Sequence, residues 1–230
     1  MCGLFASIGN ALDQPGFRER FEALRHRGPD DTEIFQPNGA VTLAFHRLAI
    51  MDLEETGMQP FKHNGCTLVA NAEIYNYKDI KSQLADYEFI GHSDCEVLLP
   101  FYQLFKEDMF QYLDAEFAIV LYDRENKTIV AGRDPIGIRP LFYGYHRNDG
   151  KIIFASEAKA IFSIVTKVFA FPPGHYYKNG EFTKYSTLHE IPSYNQHLSD
   201  DITSNIREKL IDGVLKRIES DAPMGYLLSG

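Results

Sequence analysis

The stretch Ala115-Glu116-Phe117-Ala118-Ile119-Val120-Leu121-Tyr122-Asp123, followed by a polar turn and by Lys127-Thr128-Ile129-Val130-Ala131-Gly132-Arg133, reads as two strands joined by a turn. Similar segments lie on both sides of it. Cys2 to Ile8 and Thr67 to Asn71 are apolar strand candidates. Asn38-Gly39 sits between Thr32–Gln36 and Val41–Phe45, a hairpin signal because both turn residues tolerate positive φ. Phe142 to His146, Lys151 to Ala155, His175 to Lys178 and Glu181 to Tyr185 continue the run, the last two meeting at Asn179-Gly180.

Helical signals are fewer. Phe17, Phe21 and Leu24 recur at helical spacing and predict an amphipathic helix over about Gln14 to Leu24. Ser93-x-x-Glu96 reads as a capping box opening a helix to about Phe105, which Pro100 should bend or shorten. Many strands with helices at the margins predict an α+β fold of stacked sheets with helices outside.

The composition is that of a globular protein: 230 residues, 44% hydrophobic and 24% charged. Lys+Arg 23 against Asp+Glu 32 gives a net charge of −9, which argues against nucleic-acid or anionic-membrane partners. No apolar run approaches the roughly 18 to 20 residues of a membrane span. No basic stretch precedes Leu4-Phe5-Ala6, so a secretory signal is not expected. Cys2, Cys66 and Cys95 are widely spaced with no metal-type pair. A reducing, cytoplasmic compartment and no metal site are expected. His146, His175, His189 and His197 lack ligand spacing and read as structural or solvent-facing.

The pattern changes after Tyr185. Residues 186–200 read as a linker, and Ile202, Ile206, Leu210, Val214 and Ile218 then recur every four residues in one helix. Asp221-Ala222-Pro223 ends it, and Met224 to Leu228 reads as a short strand. One helix and one strand cannot bury a core alone. The expected organisation is a domain over 2–185, a linker over 186–200 and the opening of a second, truncated domain over 201–230.

The start of the chain carries the sharpest chemistry. Aminopeptidases generally remove an initiator Met that precedes a small residue, which would leave Cys2 first. Such a residue has its thiol and its own α-amine on adjacent carbons. The amine titrates near pH 8 unperturbed and can take the thiol proton without a His. Position alone also fits a cysteine that merely starts a buried strand.

Eight motifs follow in order: Met1-Cys2-Gly3; Arg25-His26-Arg27-Gly28-Pro29-Asp30; His46-Arg47-Leu48-Ala49-Ile50-Met51-Asp52; Asn71-Ala72-Glu73-Ile74-Tyr75-Asn76; Ser93-Asp94-Cys95-Glu96; Gly132-Arg133-Asp134 leading to Gly137-Ile138-Arg139-Pro140-Leu141; Ala155-Ser156-Glu157-Ala158-Lys159; and Leu227-Leu228-Ser229-Gly230. Together they resemble the glutamine amidotransferase domain of asparagine synthetases, of the N-terminal-nucleophile, class II type. The Arg-His-Arg-Gly-Pro-Asp version and the Leu-Leu-Ser-Gly ending favour that branch over the phosphoribosyl and sugar-phosphate branches.

The resemblance implies a four-layer αββα sandwich and hydrolysis of glutamine to glutamate and ammonia through a Cys2 thioester. Arg47 would hold the α-carboxylate of L-glutamine with its planar fork. Asp94 would face the ammonium, with Glu73 a second acidic candidate. Leu48, Ala49, Ile50 and Met51 would line the glutamine slot with backbone groups; their plain reading is buried strand. The Asn71 side chain and the N–H of Ala72 would stabilise the oxyanion. The family usually has Gly where this chain has Ala72, and a positive φ there would strain the alanine. His26, Arg27 and Asp30 receive no direct chemistry.

Leu228 would contact ATP at the start of a pyrophosphate loop. In an intact enzyme of this family, Mg-ATP and aspartate would join the ammonia to give asparagine, whereas the glutaminase step needs no cofactor. A homodimer is a possible assembly. The rival reading is a catalytically silent, truncated module that binds glutamine.

Overall fold

The computed structural model describes residues 1–9, 11–12, 14–39, 41–188 and 201–227. Two six-stranded antiparallel sheets stack face to face. The first is built from β1 (Gly3–Ile8), β2 (Asp31–Phe35), β3 (Val41–Arg47), β8 (Phe142–His146), β9 (Ile152–Ala155) and β10 (Val165–Ala170), in the order β10-β8-β9-β1-β3-β2. The second contains β4 (Phe61–His63), β5 (Cys66–Ile74), β6 (Ala115–Asp123), β7 (Thr128–Arg133), β11 (His175–Lys178) and β12 (Glu181–Lys184), in the order β12-β11-β7-β6-β5-β4.

The period-two geometry of a strand explains why β6 is apolar at nearly every position. Ala118, Val120 and Tyr122 face the first sheet, packing with Leu4, Leu43, Phe45 and Phe154. Phe117, Ile119 and Leu121 face outward, under Leu98, Phe101, Tyr102 and Phe110. Those cover residues come from α3 (Leu98–Phe105) and the turns after it, with Ile80 of α2 (Tyr77–Gln83) alongside. On the far side, Phe17 and Phe21 of α1 (Phe17–Glu22) cover Phe5, Ala44 and Ile153. The central strands of both sheets are therefore covered on both faces, in the four-layer αββα arrangement.

The expected strand pairs form. β6 and β7 pair from Asp123↔Thr128 to Ala118↔Arg133, and β11 and β12 close at Asn179-Gly180, whose φ values of 52° and 94° suit a tight hairpin. β2 and β3 pair around a turn of 3-10 geometry at Pro37–Gly39.

The structure corrects several boundaries. The first helix starts at Phe17, behind the left-handed Gly16, instead of Gln14. The 93–105 segment begins as a 3-10 turn (Asp94–Val97) and becomes α3 only at Leu98. Pro100 then falls in the first helical turn, where a missing N–H costs nothing. Ser93 Oγ accepts from Cys95 N–H at 3.3 Å. Glu96 does not close the capping box; its carboxylate takes the N–H groups of Ile90 and Gly91 at 2.7 and 3.0 Å. Residues 48–51 form a loop after β3, not a strand.

The helix after the expected linker is α4 (Ile202–Leu215), capped by Asp201, whose carboxylate accepts from Ser204 N–H at 3.1 Å. Ile206, Leu210 and Val214 lie exposed along it. Met224–Leu227 pairs with no strand, so the expected terminal strand does not form over those residues. Residues 189–200 of the expected linker, with His189 and His197, and residues 228–230 lie outside the described residues. Among the described residues no helix is long and apolar enough to cross a membrane.

Candidate active site

Strand pairing assembles the site. β1 lies antiparallel to β3 with Gly3 opposite His46, which sets Cys2 beside the end of β3 and the loop that leaves it. The Leu48 N–H donates to Cys2 Sγ at 3.3 Å, and the thiol reaches the Leu48 carbonyl at 3.6 Å. β5 of the opposing sheet brings Asn71, whose Oδ1 accepts from the Cys2 N–H at 3.1 Å. Asn71 is 2% exposed, and its Nδ2 is a buried donor with no protein partner. An orphaned amide of this kind is costly unless something else accepts from it.

Ala72 follows in the extended run of β5, and its φ is not among the positive ones. The alanine is unstrained. Its N–H belongs to the β5 edge turned away from β6, by the alternation of the ladder. On that edge Ala70 N–H donates to Gln59 Oε1 at 2.6 Å and Ile74 N–H donates to Asp94 Oδ2 at 2.6 Å. The Ala72 N–H lies between these two, beside the cleft.

The cleft has a volume of ≈ 470 Å³, counting the space at its mouth. Cys2, Asn71 and Ala72 line it, as do Arg47, Leu48, Ile50, Met51, Glu73 and Asp94. Ala49 does not; its N–H is held by Asp30 Oδ2 at 2.8 Å. The structure thus gathers every expected site residue except Ala49, and Leu228, which lies outside the described residues.

The charged groups are arranged for unlike partners. Arg47 is buried, and its guanidinium donates to the Glu54 carbonyl at 2.7 Å and to the carbonyls of Met51 and Asp52. Gly57 allows this packing: a Cβ there would collide with Arg47 Nη2 and the Asp52 carbonyl. Asp94 is buried, and burial pushes its carboxyl up to about 6, the Ile74 N–H pulling it down and the Glu73 charge raising it further. Burial also raises Glu73, against the pull of Arg139, whose Nη2 lies 3.2 Å from Glu73 and 3.6 Å from Glu116. A carboxylate ligand matches Arg47, and an ammonium matches Asp94 with Glu73.

Burial pushes the Cys2 thiol up, while the Leu48 backbone and the amine at the chain start pull it down. Burial lowers the α-amine of Met1, with Arg139 and Arg27 adding to the effect. Cys95 also lines the cleft, but burial raises its thiol well above the usual range, and its Sγ donates to the Ala72 carbonyl at 3.7 Å.

Five residues without an assigned role belong to this construction. Arg27 Nε donates to the Cys2 carbonyl at 2.9 Å, and its Nη1 donates to Glu157 at 3.0 Å. Asp30 steadies Ala49. The Gln59 side chain bonds both the N–H and the carbonyl of Ala70, as a neighbouring strand would. Cys95 and Arg139 line the wall. Arg27, Asp30, Cys95 and Arg139 stood inside the quoted motifs; nothing in the sequence marked Gln59. Among the described residues no group of His, Cys, Asp and Glu is placed to hold a metal ion.

Comparison with known proteins identifies the family of the chain. The model of the glutamine amidotransferase domain family matches residues 1–171. A probable glutamine-hydrolysing asparagine synthetase of Dictyostelium discoideum is 37% identical over 245 residues, covering 100% of this chain and 43% of that protein. Glutamine-hydrolysing asparagine synthetase 1 of Saccharomyces cerevisiae is 37% identical over 238 residues, covering 100% of this chain and 41% of that protein. The chain spans less than half the length of these relatives. Among solved structures, the glutamine phosphoribosylpyrophosphate amidotransferase of B. subtilis superposes with a TM-score of 0.64 at 20% identity, over 81% of this chain and 50% of that one. At that identity the likeness concerns the fold alone. With two stacked sheets, a cysteine at the head of a central strand and the family match over residues 1–171, the chain belongs to the glutamine amidotransferase domain family.

Proposed function

We propose that the chain hydrolyses glutamine to glutamate and ammonia, with Cys2 as nucleophile once Met1 is removed. The carrying observation is the double role open to Asn71: its Oδ1 holds the Cys2 nitrogen while its Nδ2 stays buried and unpartnered. Removing Met1 turns that nitrogen into an α-amine. Asn71 Oδ1 then accepts one of its N–H bonds, and the lone pair is left for the thiol proton.

Arg47 takes the α-carboxylate of glutamine, and Asp94 and Glu73 take the α-ammonium. The slot between them, walled by the 48–51 loop, leads the carboxamide to Cys2. Thiolate attack on the amide carbon puts the negative charge on oxygen, where Asn71 Nδ2 and the Ala72 N–H donate to it. The amine passes its proton to the leaving nitrogen, and ammonia departs from a glutamyl thioester. Water then attacks the thioester and releases glutamate and the thiol.

The likeness to asparagine synthetases supports a larger role, in which residues 2–185 are the glutaminase domain and 201–230 open a synthetase domain. There Leu228 would contact ATP, and the ammonia would amidate aspartate at the expense of Mg-ATP. Three free cysteines support a reducing, cytoplasmic setting. Homodimer formation is part of this reading, with sedimentation velocity as its check.

The test is glutamate release from glutamine by the purified chain, with mass spectrometry of its N-terminus. Release that Cys2→Ala abolishes, from a chain starting at Cys2, supports the reading. A processed chain that binds glutamine without releasing glutamate would leave the silent module.

A further inference from the structure

The loop over residues 48–54 forms one wall of the cleft, and most of its fixings come from the glutaminase fold itself. Leu48 is held by Cys2, Ala49 by Asp30, and three carbonyls by Arg47. The Asp52 carboxylate accepts from Thr56 Oγ1 at 2.9 Å and from His92 N–H at 2.8 Å. Two backbone groups on either side of Met51 are held differently. The Ile50 carbonyl accepts from the N–H groups of Asp221 and Ala222 at 3.0 and 3.1 Å, and from Ser220 Oγ at 3.4 Å. The Asp52 N–H donates to Asp221 Oδ2 at 2.7 Å. These ties span about 170 residues of sequence and reach the loop from the segment just after α4.

Asp52 sits at φ 53°, in the left-handed region that is uncommon for non-glycine residues although Asp enters it more readily than most. Asp221 is the group that binds the N–H of this residue. Met51, between the two tied peptides, lines the main cleft and also a smaller adjoining one bounded by Lys216 and Glu219. The same segment is anchored independently of the loop. Glu219 accepts from Tyr77 Oη at 2.7 Å and pairs with Lys78 at 2.6 Å, and Arg217 Nε reaches Glu116 at 2.9 Å.

We propose that residues 220–222 latch the wall of the glutamine slot and that Asp221 is a positioning residue for glutamine binding. This rests on the reading of the cleft as a glutamine site. Asp221 touches no substrate; it acts through the Met51–Asp52 peptide and so through the carbonyls that orient Arg47. Undocking the segment would loosen the wall and weaken glutamine binding while leaving Cys2, Asn71 and Ala72 in place. By linkage, bound glutamine must tighten the docking of residues 216–222 by the same factor.

The test uses the full chain with Asp221→Ala, Asp221→Asn and Ala222→Pro, the last removing one N–H to Ile50 while keeping the Asp221 carboxylate. Asp221→Ala should raise the glutamine KM at least tenfold with kcat within threefold, and Asp221→Asn, which keeps an acceptor oxygen, should restore KM to within threefold. Amide exchange of residues 48–54 should speed up in Asp221→Ala and Ala222→Pro. In Cys2→Ala, which binds without turnover, added glutamine should slow exchange over 216–222. Faster loop exchange with unchanged KM would reduce the contact to a structural tie and overturn the proposal, as would a fall in kcat with KM unchanged. A wild type silent toward glutamine would sink the functional reading, while the exchange of residues 48–54 would still decide whether the latch exists.

Discussion

The Cys2 nitrogen and the Asn71 side chain are 3.1 Å apart, and the Asn71 amide nitrogen beyond that contact is buried with no partner. One side chain therefore faces the Cys2 nitrogen with its oxygen and presents an unused donor with its nitrogen. Asn71→Asp keeps an acceptor for the amine and deletes the donor. It is expected to lower kcat for glutamine hydrolysis by roughly 10²–10³-fold with a much smaller change in KM, the signature of a lost oxyanion donor. Steady-state kinetics on N-terminally processed protein checks this, and equal losses in kcat and binding would refute the assignment.

Arg47 couples the cleft to its wall. Arg47→Ala leaves the ligand carboxylate unpaired and frees three loop carbonyls, so kcat/KM should fall by about 2–5 kcal/mol in free-energy terms. Arg47→Lys should recover little of the loss, because a single ammonium cannot span the carbonyls of residues 51, 52 and 54 and also meet a carboxylate as a fork. A fall of less than tenfold for the alanine variant would show that the carboxylate is held elsewhere.

Asp94 is expected to give the site a pH dependence on the acid side. Burial pushes its carboxyl up to about 6, and only the ionised form would attract a substrate ammonium. At pH 5 about a tenth is ionised, so kcat/KM should fall roughly tenfold below its plateau from this group alone. Asp94→Asn should lower the plateau and flatten that limb. The stability effect has the opposite sign. The folded state holds the proton more tightly than the unfolded one, whose value is near 3.8, so the group's contribution is complete below about pH 4 and is lost as pH rises through about 6. Urea melts of wild type and Asp94→Asn at pH 4.5 and 7 measure it: the substitution should help more, or harm less, at pH 7.

Ala72 is where the chain departs from the glycine usual in the family. Because its backbone is extended, restoring glycine relieves no strain. Ala72→Gly should leave kcat within about twofold and lower stability by roughly 0.5–1 kcal/mol, the ordinary cost of glycine inside a strand. Paired kinetics and denaturant melts test this, and a large gain in kcat would show that the alanine obstructs the oxyanion site.

Pattern legibility followed burial. β6 and β7 were readable because both of their faces are covered, which demands apolar residues at nearly every position. Elements without that constraint left weak signals. α2 buries only Ile80 among its seven residues, so no helical period shows. β4 is three residues long, and β10 carries a register shift between Val165 and Val168 that breaks strict alternation. The Ser93–Glu96 spacing was a real cap signal for Ser93, but Glu96 found stronger partners in the N–H groups of residues 90 and 91, which only folding brought near.

By itself the sequence determined the strand-rich layered fold and, through motifs in a fixed order, the family, whose resemblance points to Cys2, Arg47, Asn71 and Asp94 as candidate site residues. The fold follows from local periodicity, and the candidates from residue types matched to the family's motifs. The tertiary structure alone decided which atoms meet: that Asn71 leaves its nitrogen unpaired, that Gln59 stands in for a strand beside Ala70, that burial lifts Asp94 to about 6, and that Asp221 reaches Asp52. Each depends on groups far apart in the chain, and hydrogen bonding and desolvation act over a few ångströms of space, whatever the separation in sequence.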